Sequence, residues 1–248
     1  MKLTFLGTSH GVPSEIRYTS CYMLEVGEKI YIFDGGAPVA DLLIRTGKKL
    51  TDVRGFFNTH FHSDHVFGAL QMLSLLNWYH RNDTSIDIMM PDEKSKNVLA
   101  DVICAADGMP LDDEKMRVKA FESGVIFDDG VVKVTAIPTM HLEDEEKKSY
   151  AFYIEAEGKN LLYTGDMSCG TERDDFPEIA FDRHIDVIIS ECAHFPVEKL
   201  AKWMGKVNTD IFAVSHIYPV DKIEEFEKIA DNYKFELLIA EDEDEIEF

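Results

Sequence analysis

The sequence predicts an α/β fold in which two β-sheets pack face to face and helices cover their outer faces. Strand-like runs cluster in two blocks, helical patterns accompany each block, and the C-terminal third alternates strand and helix. Because each sheet and each amphipathic helix must bury an apolar face, such blocks are expected to form stacked layers. No Pro/Ser-rich linker and no repeat divides the 248 residues, so we expect a single domain over residues 1–248.

The first block supplies the strands and helices of one layer pair. Runs rich in β-branched and aromatic residues predict strands over 2–6, 21–26, 30–33, 53–57 and 86–90. Helical patterns predict helices over 37–45, 65–79 and 92–106. The helix over 65–79 is apolar nearly all round, and we therefore expect it to be deeply packed.

The second block supplies the other sheet. Strands are expected over 116–121, 131–137, 150–154 and 160–163, followed by strands over 186–190, 211–215 and 236–239. Helices over 197–204 and 221–231 separate the last three strands. The acidic run 241–247 is predicted to be a solvated end.

The charge of the chain limits its partners. There are 47 acidic residues against 25 Lys and Arg, a net charge of -22. Extended nucleic acid is therefore not expected as a partner, because its binding depends on basic side chains that neutralise phosphates. No apolar run approaches the roughly 20 residues that cross a bilayer. The N-terminus reads as a strand and not as a signal peptide, so we expect no membrane partner and a cytoplasmic location.

A cluster of metal-ligating residue types follows the predicted strand over 53–57. His60, His62, Asp64 and His65 lie within six residues. In an extended segment, side chains at i and i+2 point the same way, so His60 and His62 can hold one ion together. Neutral imidazole and carboxylate are ligands for divalent metals, and a metal relieves the mismatch of clustered imidazoles. The cluster predicts a metal site.

Three further candidate ligands follow other predicted strands. His141 lies after the strand over 131–137, Asp166 after 160–163 and His216 after 211–215. Functional sites are commonly assembled from loops at strand ends. We therefore expect these residues to join the His60–His65 cluster.

The pattern His-x-His-x-Asp-His, followed by a strand-end His, Gly-Asp and a final strand-end His, resembles the metallo-β-lactamase superfamily. The resemblance implies an αββα sandwich with two divalent ions between the sheet edges. Zinc is expected, with manganese or iron as alternatives. It implies a first metal on His60, His62 and His141, a second on Asp64, His65 and His216, and Asp166 bridging both. True zinc β-lactamases carry Cys at the position of Asp166, so antibiotic hydrolysis is not expected.

A narrower similarity concerns ribonuclease Z and its phosphodiesterase relatives. It rests on Phe5-Leu6-Gly7-Thr8-Ser9 with Pro13, and on Ser190-Glu191-Cys192-Ala193, which resembles that group's His-Glu-Ala-Thr segment. Two departures weigh against tRNA processing. Only 25 positions separate His141 from Asp166, which leaves no room for the tRNA-binding arm. The family's His-Ser-Thr segment, expected between Glu191 and His216, is missing.

The predicted function is a binuclear metal-dependent phosphodiesterase that uses a metal-bridging hydroxide on a small or short phosphodiester. Asp64 is predicted to accept the proton of the attacking water, and His194 to donate a proton to the leaving group. Glu191 and Asp34 are expected to accept imidazole N–H groups of metal ligands. His10 is expected on a loop surface, with a position facing the cleft as the alternative.

Other functions remain open. The same nucleophile could attack a lactone or a thioester. A tRNA 3′-processing endonuclease and a non-catalytic metal-dependent binding protein are less favoured alternatives. A homodimer is an open expectation, and residues 143–146 are predicted to form a solvated turn.

Overall fold

Seven strands form the first of two mixed sheets. In the computed structural model, which describes residues 1–12, 14–142, 148–170, 172 and 174–248, the spatial order is β14-β1-β2-β3-β4-β5-β6. The neighbours from β3 to β6 are parallel, and β1 pairs antiparallel with β2 and β14. The strands are β1 Lys2–Gly7, β2 Cys21–Val26, β3 Lys29–Phe33, β4 Val53–Phe57, β5 Ile86–Met90, β6 Met116–Ala120 and β14 Glu245–Glu247.

The second sheet also contains seven strands. Its order is β13-β12-β11-β10-β9-β8-β7, and the neighbours from β10 to β13 are parallel. The strands are β7 Gly124–Asp128, β8 Val132–Pro138, β9 Tyr150–Ala156, β10 Lys159–Tyr163, β11 His184–Cys192, β12 Asn208–Ile217 and β13 Glu236–Ile239.

Helices lie outside both sheets. Three pack on the first sheet, where their apolar residues share one core with its outer face, and three pack on the second in the same way. Two single 3₁₀ turns, Leu50–Asp52 and Ala230–Asn232, complete the described elements. This confirms the predicted sandwich of two sheets between helices. The helices are α1 Val39–Arg45, α2 Ser63–Tyr79, α3 Glu93–Asp107, α4 Ile179–Asp182, α5 Val197–Met204 and α6 Lys222–Ile229.

A third core lies between the two sheets and is rich in aromatic rings. Phe33 and Phe57 stack with centroids 5.0 Å apart, and Phe57 meets Phe152 of the opposite sheet edge-on at 6.3 Å. Tyr22 and Tyr163 span the sheets in the same way at 4.7 Å. Such pairs add to the burial of apolar area, so they fix the sheets against each other.

The parallel strands determine where polar side chains collect. Because β4, β10 and β12 each lie in a parallel set, their carboxyl ends reach one edge of their sheet. The chain segments that follow β4, β8 and β10, and the end of β12 itself, carry the candidate ligands. The two packed sheets bring these ends together.

The expectation for α2 is wrong on one side of the helix. Phe67, Trp78 and Tyr79 are 59%, 52% and 75% exposed, while Val66, Leu73 and other residues of the opposite face are buried. A helix in the outer layer packs only one face against the sheet. When apolar residues occur all round such a helix, those on the opposite face are exposed to solvent.

The expectation for the acidic end is also wrong in part. Glu245–Glu247 form β14, Ile246 is 6% exposed, and Lys2 Nζ lies 2.8 Å from Glu245 Oε1. The Asp242 carboxylate accepts hydrogen bonds from Thr8 N and Oγ1, both at 2.8 Å. The charge of this segment predicts that it is solvated. Pairing with the edge strand β1, burial of Ile246 and the hydrogen bonds of Asp242 hold it against the fold instead.

The strand β7 and the short helix α4 were not anticipated, and the other elements differ from prediction mainly at their ends. Pro13 and the predicted turn over 143–146 lie outside the described residues. Within the described ranges, no helix has the length and apolar character needed to cross a membrane.

Candidate metal centre

The segment after β4 places four candidate ligands at the start of α2. The backbone leaves the sheet through Asn58 and Thr59, and His60 is completely buried. His62 occupies the N-cap position of α2 with extended backbone angles, and Asp64 and His65 lie in the first turn. The change from extended to helical backbone points these side chains into one cleft from two directions.

Four residues form the first group, whose ligand atoms all lie within 4.8 Å of one another: His60, His62, His141 and Asp166. His62 Nδ1 lies 3.0 Å from His60 Nε2 and 3.3 Å from His141 Nε2. Asp166 Oδ2 lies 3.6 Å from His60 Nε2 and 3.7 Å from His141 Nε2. Three ring nitrogens and one carboxylate oxygen therefore converge on one point.

The second group contains Asp64, His65 and His216. His65 Nε2 lies 3.6 Å from Asp64 Oδ2 and 3.5 Å from Asp166 Oδ1. His216 Nε2 lies 3.5 Å from Asp166 Oδ2. The carboxylate of Asp166 thus stands between both groups, and the structure brings together all seven residues that the sequence analysis singled out as ligands.

The ring nitrogens that face away from the cleft have partners of their own. Asp34 Oδ2 lies 2.8 Å from His65 Nδ1, Ser20 Oγ lies 2.8 Å from His216 Nδ1, and the Met167 carbonyl lies 3.2 Å from His141 Nδ1. A carboxylate or carbonyl there accepts the Nδ1–H and leaves the Nε2 lone pair towards the cleft. The role expected of Asp34 matches this contact with His65.

Asp34 is itself held by a dense hydrogen-bond network. It is fully buried and accepts bonds from Asn58 Nδ2, from Thr59 N and Oγ1, and from Tyr163 OH. Its backbone has φ +54°, a conformation that costs energy for a residue with a side chain. The network fixes the carboxylate and, through it, the orientation of His65.

The donor set fits a divalent metal. His65 Nε2, His216 Nε2 and Asp166 Oδ1 are buried and have no hydrogen-bond partner among the described residues. Buried polar atoms without partners are costly, and these three all face the same cleft. A cation would satisfy them, since neutral imidazole and carboxylate are its preferred ligands.

The protonation tendencies agree with this fit. Burial, reinforced by the neighbouring imidazoles, lowers the pKa of His60 and His62, and burial also lowers that of His216. Burial opposes ionisation of Asp166, but the surrounding imidazoles hold its pKa well below the usual value. His65 is the exception, because the carboxylates of Asp166 and Asp34 outweigh the effect of burial and raise its pKa well above the usual value. A bound cation would have to displace the proton from this ring.

Glu191 and His194 form a pair beside this centre. Glu191 Oε1 and Oε2 lie 2.9 and 2.8 Å from His194 Nδ1, and the carboxylate also accepts bonds from the backbone N–H groups of Met167, Ala193 and His194. His194 Nε2 lies 3.9 Å from Asp166 Oδ2. Glu191 was expected to accept an imidazole N–H of a metal ligand. Its imidazole partner is His194, which lies outside the seven predicted ligands but forms a further candidate group with Asp166 and His216.

The pairing with Glu191 also shifts the protonation of His194. Burial lowers the pKa of His194, but the Glu191 carboxylate outweighs it and raises that pKa to about 9. The histidine three positions after Glu191 in the sequence was the only available signal, and its pairing with that residue needed the loop geometry.

His10 was expected on a loop surface, and the structure places it beside the site. Its ring centroid lies 5.1 Å from that of His216 and 6.1 Å from that of His194. The neighbouring Gly11 is so close to Asp64 that a Cβ there would lie 2.8 Å from Oδ2. The sequence offered this placement only as the alternative, because the loop packs on Asp64, a residue more than fifty positions away.

Comparison with known proteins agrees with fold and site. "Ribonuclease Z" of Prochlorococcus marinus (strain MIT 9303) is 30% identical over 164 residues, which is 64% of this chain and 50% of that protein. The chain thus spans about half the length of this curated relative.

Two solved structures share the whole fold. Human tRNase Z, short form, has a TM-score of 0.76 at 20% identity and covers 100% of this chain and 99% of its own. A diphosphatase from the PhnP family has a TM-score of 0.72 at 16% identity, with 100% and 97% covered. These findings show the metallo-β-lactamase fold with ribonuclease Z as a sequence relative, and they confirm the resemblance seen in the sequence.

Within that fold, the chain belongs to the family described as "Anti-Pycsar protein Apyc1", whose profile matches residues 1–237.

Proposed function

We propose that this protein is a binuclear metal-dependent phosphodiesterase that acts on a small or short phosphodiester. The observation that carries the proposal is the position of Asp166, whose carboxylate lies 3.5–3.7 Å from the Nε2 atoms of four imidazoles. In this proposal, His60, His62 and His141 hold one ion, Asp64, His65 and His216 hold the other, and Asp166 bridges them. Zinc is the proposed metal, with manganese or iron as alternatives, because His and Asp ligands alone do not separate the three.

Two divalent ions at such a site polarise a phosphoryl oxygen and lower the pKa of a coordinated water towards neutrality. The chain's own groups then have to orient the substrate and move protons. Asp64 is the proposed proton acceptor. Its Oδ2 lies 3.6 Å from His65 Nε2 and close to the backbone of Gly11, so the carboxylate stands at the edge of the second ligand group, where it could accept a proton.

His194 is the proposed proton donor to the leaving oxygen. Glu191 holds Nδ1, and the Nε2 side faces the cleft near Asp166. The side chain is 16% exposed, so it is reachable from the cleft while remaining fixed. An imidazole anchored by a carboxylate on one nitrogen keeps its other nitrogen aimed at a reacting atom.

Two features support a small substrate. A span of 25 positions from His141 to Asp166 leaves no length for an added nucleic-acid-binding arm, and a net charge of -22 opposes long polyanions. Human tRNase Z, short form, shares the fold, and so does the PhnP-family diphosphatase. We therefore propose a compact phosphodiester in place of tRNA.

Three further properties concern the domain organisation, the oligomeric state and the location of the protein. Residues 1–248 are proposed to act as one domain, since both sheets share the inter-sheet core. A homodimer is proposed because Phe67, Trp78 and Tyr79 expose an apolar face of α2 that a second copy could cover. A cytoplasmic location stays a prediction of the sequence.

Hydrolysis of an aryl phosphodiester by metal-loaded protein tests the main proposal. We expect turnover that His62→Ala abolishes, while His184→Ala, which alters an exposed histidine at the other end of β11, leaves it intact. Parallel assays on a lactone and a thioester decide between reaction classes. Preferential cleavage of either, or full turnover by His62→Ala, would contradict the proposal.

A further inference from the structure

The loop between β1 and β2 places His10 at the edge of the candidate metal centre. Its ring packs edge-on against His216 at 5.1 Å between centroids and lies 6.1 Å from His194. On its other side it stacks on Tyr218, at 4.6 Å and 17° between planes. His10 therefore lies beside both the residue proposed to hold a metal and the residue proposed to donate a proton.

The loop itself is firmly attached to the rest of the fold. Ser9 forms bridges with Thr19 and with Ile217, and its N–H donates to the Tyr18 carbonyl at 2.7 Å. The Thr8 carbonyl accepts the backbone N–H of His216 at 2.9 Å. Because Thr8 and Ser9 are bound to the same strand end that carries His216, the backbone immediately before His10 is held next to the centre.

One nitrogen of His10 is already used by the loop. The backbone N–H of Val12 lies 3.1 Å from His10 Nδ1, so Nδ1 acts as an acceptor. In a neutral imidazole whose Nδ1 accepts, the proton is on Nε2. Among the described residues no protein group accepts a hydrogen bond from that Nε2–H. The loop thus selects the tautomer whose donor is available to another molecule.

The surroundings of His10 make a donor useful there. Asp64, Asp166 and Glu191 are its acidic neighbours, and His194 is its basic one. An anionic substrate that enters this cleft meets three carboxylates, which repel it. Neutral N–H groups that donate hydrogen bonds to its oxygens would reduce this repulsion. Preorganised donors aimed at an anionic oxygen are worth most in a partly buried site.

We infer that His10 is a substrate-contacting residue that donates a hydrogen bond from Nε2–H to an anionic oxygen of the phosphodiester. The inference rests on the proposed function for the identity of the substrate, and on the loop geometry for the tautomer. Tyr218 keeps the ring in plane by stacking, which makes it a positioning residue for His10.

Phosphate binding and turnover test the inference separately. Inorganic phosphate is titrated into metal-loaded protein by calorimetry, and kcat/KM is measured on an aryl phosphodiester. We expect His10→Ala to weaken phosphate binding and to lower kcat/KM, each by roughly 10- to 100-fold, the range for a hydrogen bond to a charged group. Metal content and the melting temperature stay as in the wild type.

The controls separate a donor from a structural or metal-binding role. His10→Gln keeps an N–H donor and is expected to recover part of both losses, and His184→Ala is expected to change neither. Unchanged phosphate affinity in His10→Ala overturns the inference, as does loss of metal or equal behaviour of the Ala and Gln variants. If His10→Ala weakens phosphate binding but the wild-type protein cleaves no phosphodiester, the proposed function is contradicted and the contact between His10 and the anion is retained.

Discussion

Glu191 accepts the Nδ1–H of His194 at 2.8 Å while three backbone N–H groups fix the same carboxylate. The imidazole is therefore locked to one side of the cleft, with Nε2 3.9 Å from Asp166 Oδ2. A carboxylate that orients an imidazole in this way normally serves the chemistry of the imidazole's second nitrogen.

Removing His194 should affect substrates according to their leaving groups. For a phosphodiester with an alkoxide leaving group, His194→Ala is expected to lower kcat/KM by roughly 10²- to 10⁴-fold, because no proton reaches the departing oxygen. For a nitrophenyl diester, whose leaving group is stable as an anion, the loss should be below about tenfold. Glu191→Gln should show the same pattern more weakly, and Glu198→Gln, on an exposed face of α5, serves as the control. Equal losses on both substrates would contradict the donor role.

Replacing Asp34 should weaken the second metal site, although Asp34 is not itself one of the proposed ligands. In Asp34→Asn, an amide NH₂ can face His65 Nδ1, which drives the ring to the tautomer with its proton on Nε2, the nitrogen that faces the cleft. We expect metal affinity to fall by roughly 10- to 100-fold and the free energy of unfolding to fall by about 2–4 kcal/mol. Tyr163→Phe removes one donor to Asp34 but keeps the carboxylate, so its metal content should stay near wild type. Metal titration and urea unfolding measure both effects.

Gly68 in α2 should not tolerate alanine, although alanine favours helices. A Cβ at position 68 would lie 1.6 Å from the Ala37 carbonyl oxygen, so α2 would have to move away from the loop before α1. We expect Gly68→Ala to lower the free energy of unfolding by at least about 2 kcal/mol. At Gly205, after α5, φ is -69° and a Cβ would meet only ordinary contacts at 3.6 Å. Gly205→Ala should therefore raise stability by about 0.5–1 kcal/mol, and a loss there would contradict the comparison.

The carboxylate of Asp129 should contribute a pH-dependent part of the stability. Burial acts against its ionisation, but hydrogen bonds from Lys29, Tyr31 and the backbone at 131–132 prevail and lower its pKa to about 2, against an ordinary value of 3.8. Because the folded pKa is the lower one, the stabilisation is present above about pH 4 and disappears as the pH falls through about 2. Asp129→Asn should thus lose most stability at pH 6, and the difference from wild type should shrink by pH 3. Urea unfolding between pH 3 and 6 measures this, with the exposed Asp113→Asn as the charge control.

The sequence alone predicted those features that depend on residues close together in the chain. Strands such as Val53–Phe57 and Ile86–Met90 have the predicted bounds, because short runs rich in apolar residues between turn residues determine a largely buried strand locally. The His60–His65 cluster was recognisable for the same reason: its ligand types stand within six residues. The two-sheet sandwich followed from the order of these elements, and the related structures confirm it.

The tertiary structure alone decided which distant groups meet. Asp34 is 31 positions from His65, and the two meet only because β3 and β4 are neighbours in the first sheet. His10 reaches His216 because the loop after β1 is hydrogen-bonded to the end of β12. The sequence therefore determined which side chains can hold a metal, since ligand chemistry belongs to the residue itself. The orientation of those side chains, their tautomers and the proton donor beside them come from packing the two sheets, because each depends on contacts between segments far apart in the chain.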